Sequence, residues 1–284
     1  MNLLIVSGKG GTGKTTLAAT FSQLSNSKMI IDCDVEASNL HLLLARDDLE
    51  RHPFSGAKLA QPLDNECTAC GLCTATCRFG AIDNGIVDAL RCEGCGACVF
   101  VCPVDHLVLQ DATTGATVLS ATDYGLMSRA EMEPGAEGSG KLVTEIRRQG
   151  RLATKDVPLT LLDGPPGIGC AVIASMTGCQ LALVVAEASL SGLSDAERII
   201  DLLQQMDVQT LLCINRADIS PELTKQLEQL CSNKDISLVG EIPYDPVVRE
   251  AQRQGRSLLD YPESPATKAI VAIWDRLSEA IGEE

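Results

Sequence analysis

The stretch IVSGKGGTGKTT, residues 5–16, decides how this chain folds. An apolar run, NLLIV at 2–6, leads into a glycine loop, and TTLAATFSQLS follows with helical spacing. Within it GKGGTGKT, residues 8–15, fits the pattern G-x-x-x-x-G-K-[ST] in a strand–loop–helix setting. Glycines let successive backbone N–H groups turn toward phosphate oxygens. Lys14 then neutralises the β and γ phosphates, and Thr15 offers its hydroxyl to Mg²⁺. KMIIDCD, residues 28–34, reads as a second apolar strand ending in acids. Such a β-loop-α-β opening predicts a parallel sheet with right-handed crossovers.

The same alternation returns beyond residue 140. KLVTEIRRQGRLA (141–153) reads as a helix, and PLTLLDGPPG (158–167) as a buried strand running into a loop. LALVVAEAS (181–189), QTLLCINRAD (209–218) and ISLVGEIPYD (236–245) read as further strands. DAERIIDLLQQM (195–206) reads as a helix, and a second one opens with Ser220 as N-cap and Pro221 at its first position. The middle differs. Residues 46–64 are polar and irregular, a connector. Residues 107–133 suggest short strands with a turn at TTG, 113–115, and EPGAEGSG (133–140) suggests a flexible loop.

That middle holds CTACGLCTATCR (67–78) and CEGCGACVFVCP (92–103). Cys67, Cys70, Cys73 and Cys77 recur 25 positions on as Cys92, Cys95, Cys98 and Cys102. C-x₂-C-x₂-C-x₃-C, repeated, is the pattern of bacterial ferredoxins with two [4Fe–4S] clusters, in which the fourth cysteine of each run crosses to the other cluster. The expected ligand sets are Cys67, Cys70, Cys73 and Cys102 for one cluster, and Cys77, Cys92, Cys95 and Cys98 for the second. Arg78 stands where the first run usually has Pro; Pro103 keeps it in the second. Two Cys₄ zinc sites are the alternative donor chemistry. Cys33, Cys179, Cys213 and Cys231 read as buried small hydrophobes. His41, His52 and His106 form no cluster and read as structural.

The expected fold class is α/β, a parallel-sheet P-loop NTPase with a small inserted α+β ferredoxin-like iron–sulfur domain. The expected boundaries are 1–55 and 111–284 for the ATPase domain and 56–110 for the insertion. Of the 284 residues 45% are hydrophobic but only 3% aromatic, and the net charge is −15. This balance argues against nucleic acid or an anionic membrane as the main partner. No apolar run reaches the ~18 residues of a membrane span, and the start of the chain has no signal-peptide character. The final DRLSEAIGEE is acidic, not a basic membrane tail. Together with the cysteine usage, this sets the expectation of a reducing cytoplasm.

KGGxGKT resembles the deviant P-loop of the family that includes the Min-system and ParA ATPases, the nitrogenase iron protein and the Mrp-type iron–sulfur carriers. The resemblance covers roughly residues 1–45 and 140–275. It implies a nucleotide contact made by Gly8, Gly10, Gly11, Thr12, Gly13, Lys14, Thr15 and Thr16, with ATP as the nucleotide. It implies that Lys9 reaches across a dimer interface to the partner's nucleotide, as an arginine finger does in trans. IIDCD (30–34) resembles switch I: Asp34 would orient the attacking water, Asn39 would contact nucleotide, and Asp32 would support the metal shell. LLDGPPGIG (161–169) resembles the Walker B strand and switch II, with Asp163 holding Mg²⁺ through a water. Asn215 in NRAD would read adenine, and Pro243 and Asp245 would flank the base. Cys170 lies where the nitrogenase iron protein has a cysteine on a shared cluster, but the second cysteine such a cluster needs is missing. Over nearly its full length the chain resembles MinD-like ATPases with an inserted ferredoxin. That implies an ATP-dependent homodimer, or a heterodimer with a related ATPase, and a redox or metal-cluster partner protein. The alternatives are an Mrp-type cluster carrier, or positioning on membrane or DNA as in Min and ParA systems.

Overall fold

The computed structural model describes all residues except 26–28, 137, 155, 156, 283 and 284. Glu137 of the 133–140 loop, Lys28 of the second expected strand and the last two acidic residues thus lie outside the described residues. In chain order the elements are β1 (Asn2–Ser7), α1 (Lys14–Leu24), β2 (Met29–Asp32), β3 (Arg46–Pro62), α2 (Leu72–Thr76), β4 (Ile82–Asp83), β5 (Ile86–Val87) and α3 (Ala97–Phe100). Next come β6 (Leu107–Thr122), β7 (Gly125–Met132), α4 (Gly140–Ala153), β8 (Thr160–Pro166), α5 (Cys170–Met176), β9 (Leu181–Glu187) and α6 (Leu190–Gln205). β10 (Gln209–Asn215), α7 (Pro221–Lys234), β11 (Ser237–Ile242), α8 (Pro246–Gln254) and α9 (Pro265–Ile281) complete the chain.

Two compact units emerge. One comprises Met1–Arg51, Thr117–Glu131 and Gly138–Glu284; the other comprises His52–Ala116 and Met132–Glu137. The boundaries differ from those expected at 56 and 110 because β3 and β6 each run on through the division.

In the large unit the sheet order is β11-β10-β9-β1-β8-β2-β7-β6-β3. The strands from β11 to β7 pair in parallel. Leu3–Val6, Ile30, Leu161, Leu162 and Leu181–Val185 are buried, as strands covered on both faces must be. Leu17 and Phe21 of α1 pack with Ile270, Ile273 and Trp274 of α9, and the Phe21 and Trp274 rings lie 5.1 Å apart.

The connector expected at 46–64 is instead strand β3, and the short strands expected at 107–133 are two long ones. TTG lies inside β6; the turn falls at 123–124, where Thr122 Oγ1 donates to the Gly125 carbonyl and accepts from Tyr124 N–H. Much of β3 is solvated on both faces, so no alternation of apolar and polar residues announced it. Its Pro53 is tolerated because β3 is an edge strand, where a missing N–H breaks no ladder. At the opposite edge Arg276 donates to the Val239 carbonyl of β11 at 2.5 Å. Arg129 of β7, 1% exposed, is held by Glu131 at 2.6 Å and Asp48 at 3.0 Å, and Ser120 donates to Asp48 at 2.7 Å.

In the small unit β3 and β6 continue side by side, with Gly56 N–H donating to Thr114 Oγ1 at 3.0 Å and Leu63 N–H to the His106 carbonyl at 2.7 Å. The short helices α2 and α3 and the hairpin β4–β5 complete it. Its core is small: Ala60, Cys73, Ile82, Cys98 and Leu107.

Candidate functional site

The loop between β1 and α1 sits at the carboxyl end of parallel strands, where open α/β sheets bind ligands. The register places Ile5, Asp163 and Asp32 abreast on β1, β8 and β2, so two acids stand next to the loop. Gly13 adopts φ 100°, and a Cβ there would come within 2.7 Å of the Asn215 amide nitrogen. No side chain caps α1. The first-turn N–H groups of α1 therefore remain available to an anion.

Lys14 is buried, and burial pushes its ammonium below the ordinary lysine range, against Asp163 and Asp34, which pull it up. Asp163 is buried too, and neither carboxylate oxygen has a hydrogen-bond partner among the described residues. Burial, then the Asp32 carboxylate, raise its pKa well above the usual range; Thr15 and Lys14 act in the opposite sense. A buried, unpartnered carboxylate next to a hydroxyl is a donor set that suits a hydrated divalent cation. The Thr12 hydroxyl is also buried and unpartnered.

Asp32, expected to support the metal shell, is engaged within its own segment. Its oxygens accept from Ser38 Oγ at 2.7 Å, Asp34 N at 3.2 Å and Leu40 N at 3.3 Å. It therefore organises the segment carrying Asp34 and Asn39, and burial pushes its pKa up to about 7. Asp34 is half-buried, with its pKa raised by burial and lowered by Lys14. Asn39 precedes the short 3₁₀ turn Leu40–Leu42.

Asn215, expected at adenine, spends its amide on the loop itself. Its Nδ2 donates to the Thr12 carbonyl at 2.7 Å, and its Oδ1 accepts from Arg216 N at 2.9 Å. Asp245 caps two helices, accepting from Val247 N at 2.9 Å, Ser264 Oγ at 2.6 Å and Ala266 N at 3.4 Å. Pro243 lies beside it in the turn after β11. Thr16 accepts from Gln252 Nε2 at 2.6 Å.

Lys9 stands apart from Lys14. Its Nζ contacts Glu187 at 2.7 Å, Ser189 Oγ at 2.9 Å and Ser191 Oγ at 3.1 Å, all in the same chain. Arg216 holds the other Glu187 oxygen at 2.6 Å. These partners escaped the sequence reading, which assigned no role to the acid ending LALVVAEAS.

In the small unit, one cavity is lined by Cys67, Cys70, Cys73 and Cys102. A second is lined by Cys77, Cys92, Cys95 and Cys98. The cysteines wall these cavities without converging on a point: no group of three or more His, Cys, Asp or Glu among the described residues is arranged to hold a single ion. Cys33, Cys179, Cys213 and Cys231 are buried, while Cys170 is exposed at the start of α5. Among the described residues no helix is long and apolar enough to cross a membrane.

Comparison with known proteins agrees with this geometry. The family described as the CobQ/CobB/MinD/ParA nucleotide-binding domain matches residues 3–258. An uncharacterized protein of Methanocaldococcus jannaschii is 28% identical, over 99% of this chain and 98% of its own length. An iron–sulfur cluster carrier protein of Pyrococcus furiosus is 25% identical, over 99% of this chain and 86% of its own. The septum site-determining protein MinD of Pyrococcus horikoshii, solved with Mg-ADP, shares the fold. It has a TM-score of 0.62 and 21% identity, over 99% of this chain and 97% of its own. The chain belongs to the CobQ/CobB/MinD/ParA family of nucleotide-binding domains, as a P-loop ATPase of the MinD and ParA type.

Proposed function

We propose that this ATPase works as an ATP-dependent dimer whose small unit is a ferredoxin-like module carrying two [4Fe–4S] clusters. Nucleotide state then governs electron delivery to, or metal-cluster assembly on, a partner protein. The observation that carries the reading is that each thiol-lined cavity is walled by one of the crossed tetrads, Cys67/Cys70/Cys73/Cys102 and Cys77/Cys92/Cys95/Cys98. Four thiolates are the donor set a [4Fe–4S] cluster needs, and such a cluster supplies one-electron chemistry.

The nucleotide half rests on the large unit. Lys14 neutralises the β and γ phosphates, and Thr15 and, through a water, Asp163 would hold Mg²⁺. Asp34, placed by the Asp32 carboxylate, orients the water that attacks the γ-phosphorus. Lys9 leaves Glu187 and supplies positive charge to the partner's nucleotide. Transition-state charge stabilisation by such a residue is worth ~10³ to 10⁵ in rate.

Anaerobic purification followed by iron, sulfide and zinc analysis tests the iron reading. About eight irons per chain with the matching sulfide supports it; zinc with no iron overturns it. A second reading, an Mrp-type cluster carrier, is favoured by the exposure of Cys67, Cys70 and Cys95 and by the carrier protein among the relatives. Net loss of iron to an apo-acceptor, followed by visible absorbance, would select it. Positioning on membrane or DNA is disfavoured by the charge of −15, and sedimentation with liposomes or DNA tests it.

A further inference from the structure

The 25-residue repeat lets the two thiol-lined cavities be compared wall by wall. Ala81 and His106 occupy matching positions, as do Phe79 and Val104, and Asn65 and Leu90. The backbone keeps the match. Ala81 N–H donates to Cys77 Sγ at 3.3 Å, and His106 N–H donates to Cys102 Sγ at 3.3 Å. Each of these residues thus meets the crossing cysteine of its run in the same way. Only the side chains differ.

His106 is buried and lines the cavity of Cys67, Cys70, Cys73 and Cys102. Its Nδ1 lies 2.9 Å from the Asn65 carbonyl and 3.1 Å from Asn65 Oδ1. Both partners are acceptors, so Nδ1 carries the hydrogen. Asn65 is itself tied down, donating through Nδ2 to the Val104 carbonyl at 2.8 Å. The imidazole is therefore fixed, and its other edge lies against the turn at Gly85. The Cβ position of Gly85 is 3.0 Å from Cys67 Sγ and 3.2 Å from His106 Nε2. The other cavity has the Ala81 methyl and the Phe79 ring in its wall. There the residue matching Asn65 is Leu90, which is 95% exposed and anchors nothing comparable.

Potentials of iron–sulfur clusters respond to charge, hydrogen bonding and solvent exposure around the sulfurs. A fixed imidazole dipole acts on one cavity; the other has no imidazole, and its lining includes the exposed Glu93 where the first has Thr68. We propose that the two cluster sites are electronically inequivalent, and that the His106–Asn65 pair makes them so. His106 is a positioning and tuning residue for the Cys67/Cys70/Cys73/Cys102 site alone. This rests on the two-cluster reading above.

The test is an anaerobic redox titration of the full-length iron-loaded protein, followed by electron paramagnetic resonance. Two reduction waves are expected, at least tenfold apart in equilibrium, which is about 59 mV for a one-electron couple. His106→Ala, which copies Ala81 into the other wall, is expected to move one wave and leave the second in place. Asn65→Ala, which keeps the imidazole and its bond to the residue-65 carbonyl but removes the Oδ1 contact and the tie to Val104, is expected to move that same wave by less. Iron content checks each variant for loss of a cluster. If His106→Ala loses iron, Asn65→Ala and the two-wave criterion in the unaltered protein still decide. Coincident waves with eight irons bound overturn the inference and leave the function reading standing, as does a variant that shifts both waves equally or neither. Absence of iron from the unaltered protein defeats the function reading itself.

Discussion

Releasing Lys9 from its own chain should strengthen dimerisation. The perturbation is Glu187→Gln, which removes the charge 2.7 Å from Lys9 Nζ and 2.6 Å from Arg216 while keeping the side chain's size. Lys9 and Glu187 are 26% and 19% exposed, so the pair is partly screened. Such a contact stabilises the undimerised chain by about 1 kcal/mol, at the upper end for exposed pairs. Closing a dimer with Lys9 in trans breaks two of them, a cost of about 2 kcal/mol, or roughly 30-fold in the association constant. The assay is analytical ultracentrifugation with a non-hydrolysable ATP analogue, where Glu187→Gln should lower the dimer dissociation constant by about that factor. Ser189→Ala/Ser191→Ala, which keeps Glu187 and its bond to Arg216, should show a smaller gain in the same direction. A dissociation constant that stays put or rises in Glu187→Gln would refute the reasoning, because Lys9 would then not be held back by this acid.

Asp163→Asn should raise the urea midpoint of the nucleotide-free protein, since burial and the Asp32 carboxylate disfavour its charge more than Thr15 and Lys14 favour it, while abolishing Mg²⁺-dependent hydrolysis in a phosphate-release assay. Gly94→Ala should cut bound iron from about eight per chain toward four. Gly94 has φ 60°, and a Cβ there would fall 2.0 Å from the Lys58 carbonyl oxygen, displacing the loop that carries Cys92 and Cys95. Stability should also fall in acid. The hydrogen bond from Ser120, with Arg129, holds the Asp48 carboxyl below its usual range, and Arg51 with Arg129 does the same for Glu131. A depressed folded pKa gives stability that is complete above the ordinary carboxylate range of about 4 and is lost as pH falls through the lower folded values. Urea midpoints measured downward from pH 5 should drop less steeply for Asp48→Asn/Glu131→Gln than for the unaltered protein.

The phosphate loop and its strands were legible because their signals are local. A glycine loop between an apolar strand and a helix has few foldings, and β1 and β9 are built on continuous apolar runs. The cysteine spacing was equally local. What escaped the sequence depends on partners far along the chain. Asn215 braces Thr12 across 203 positions, and Lys9 meets Ser189 across 180. Asp32, expected to support the metal shell, also accepts from backbone and hydroxyl groups of the next eight residues, which IIDCD alone does not signal. β3 escaped because a largely solvated strand carries no apolar period. The part of His106 was readable in principle, since the repeat sets it against Ala81, but histidines sought as a cluster do not reveal it.

The two rims of the sheet have a consequence for assembly. The β3 rim carries Arg46, Asp47, Asp48, Glu50 and Arg51, with Pro53 further along, and at the β11 rim the Arg276 guanidinium occupies a backbone carbonyl. Such rims are poor templates for strand addition from another copy. A dimer of the proposed kind would therefore form through loops and helices, where a twofold contact closes on itself and does not propagate into a fibre.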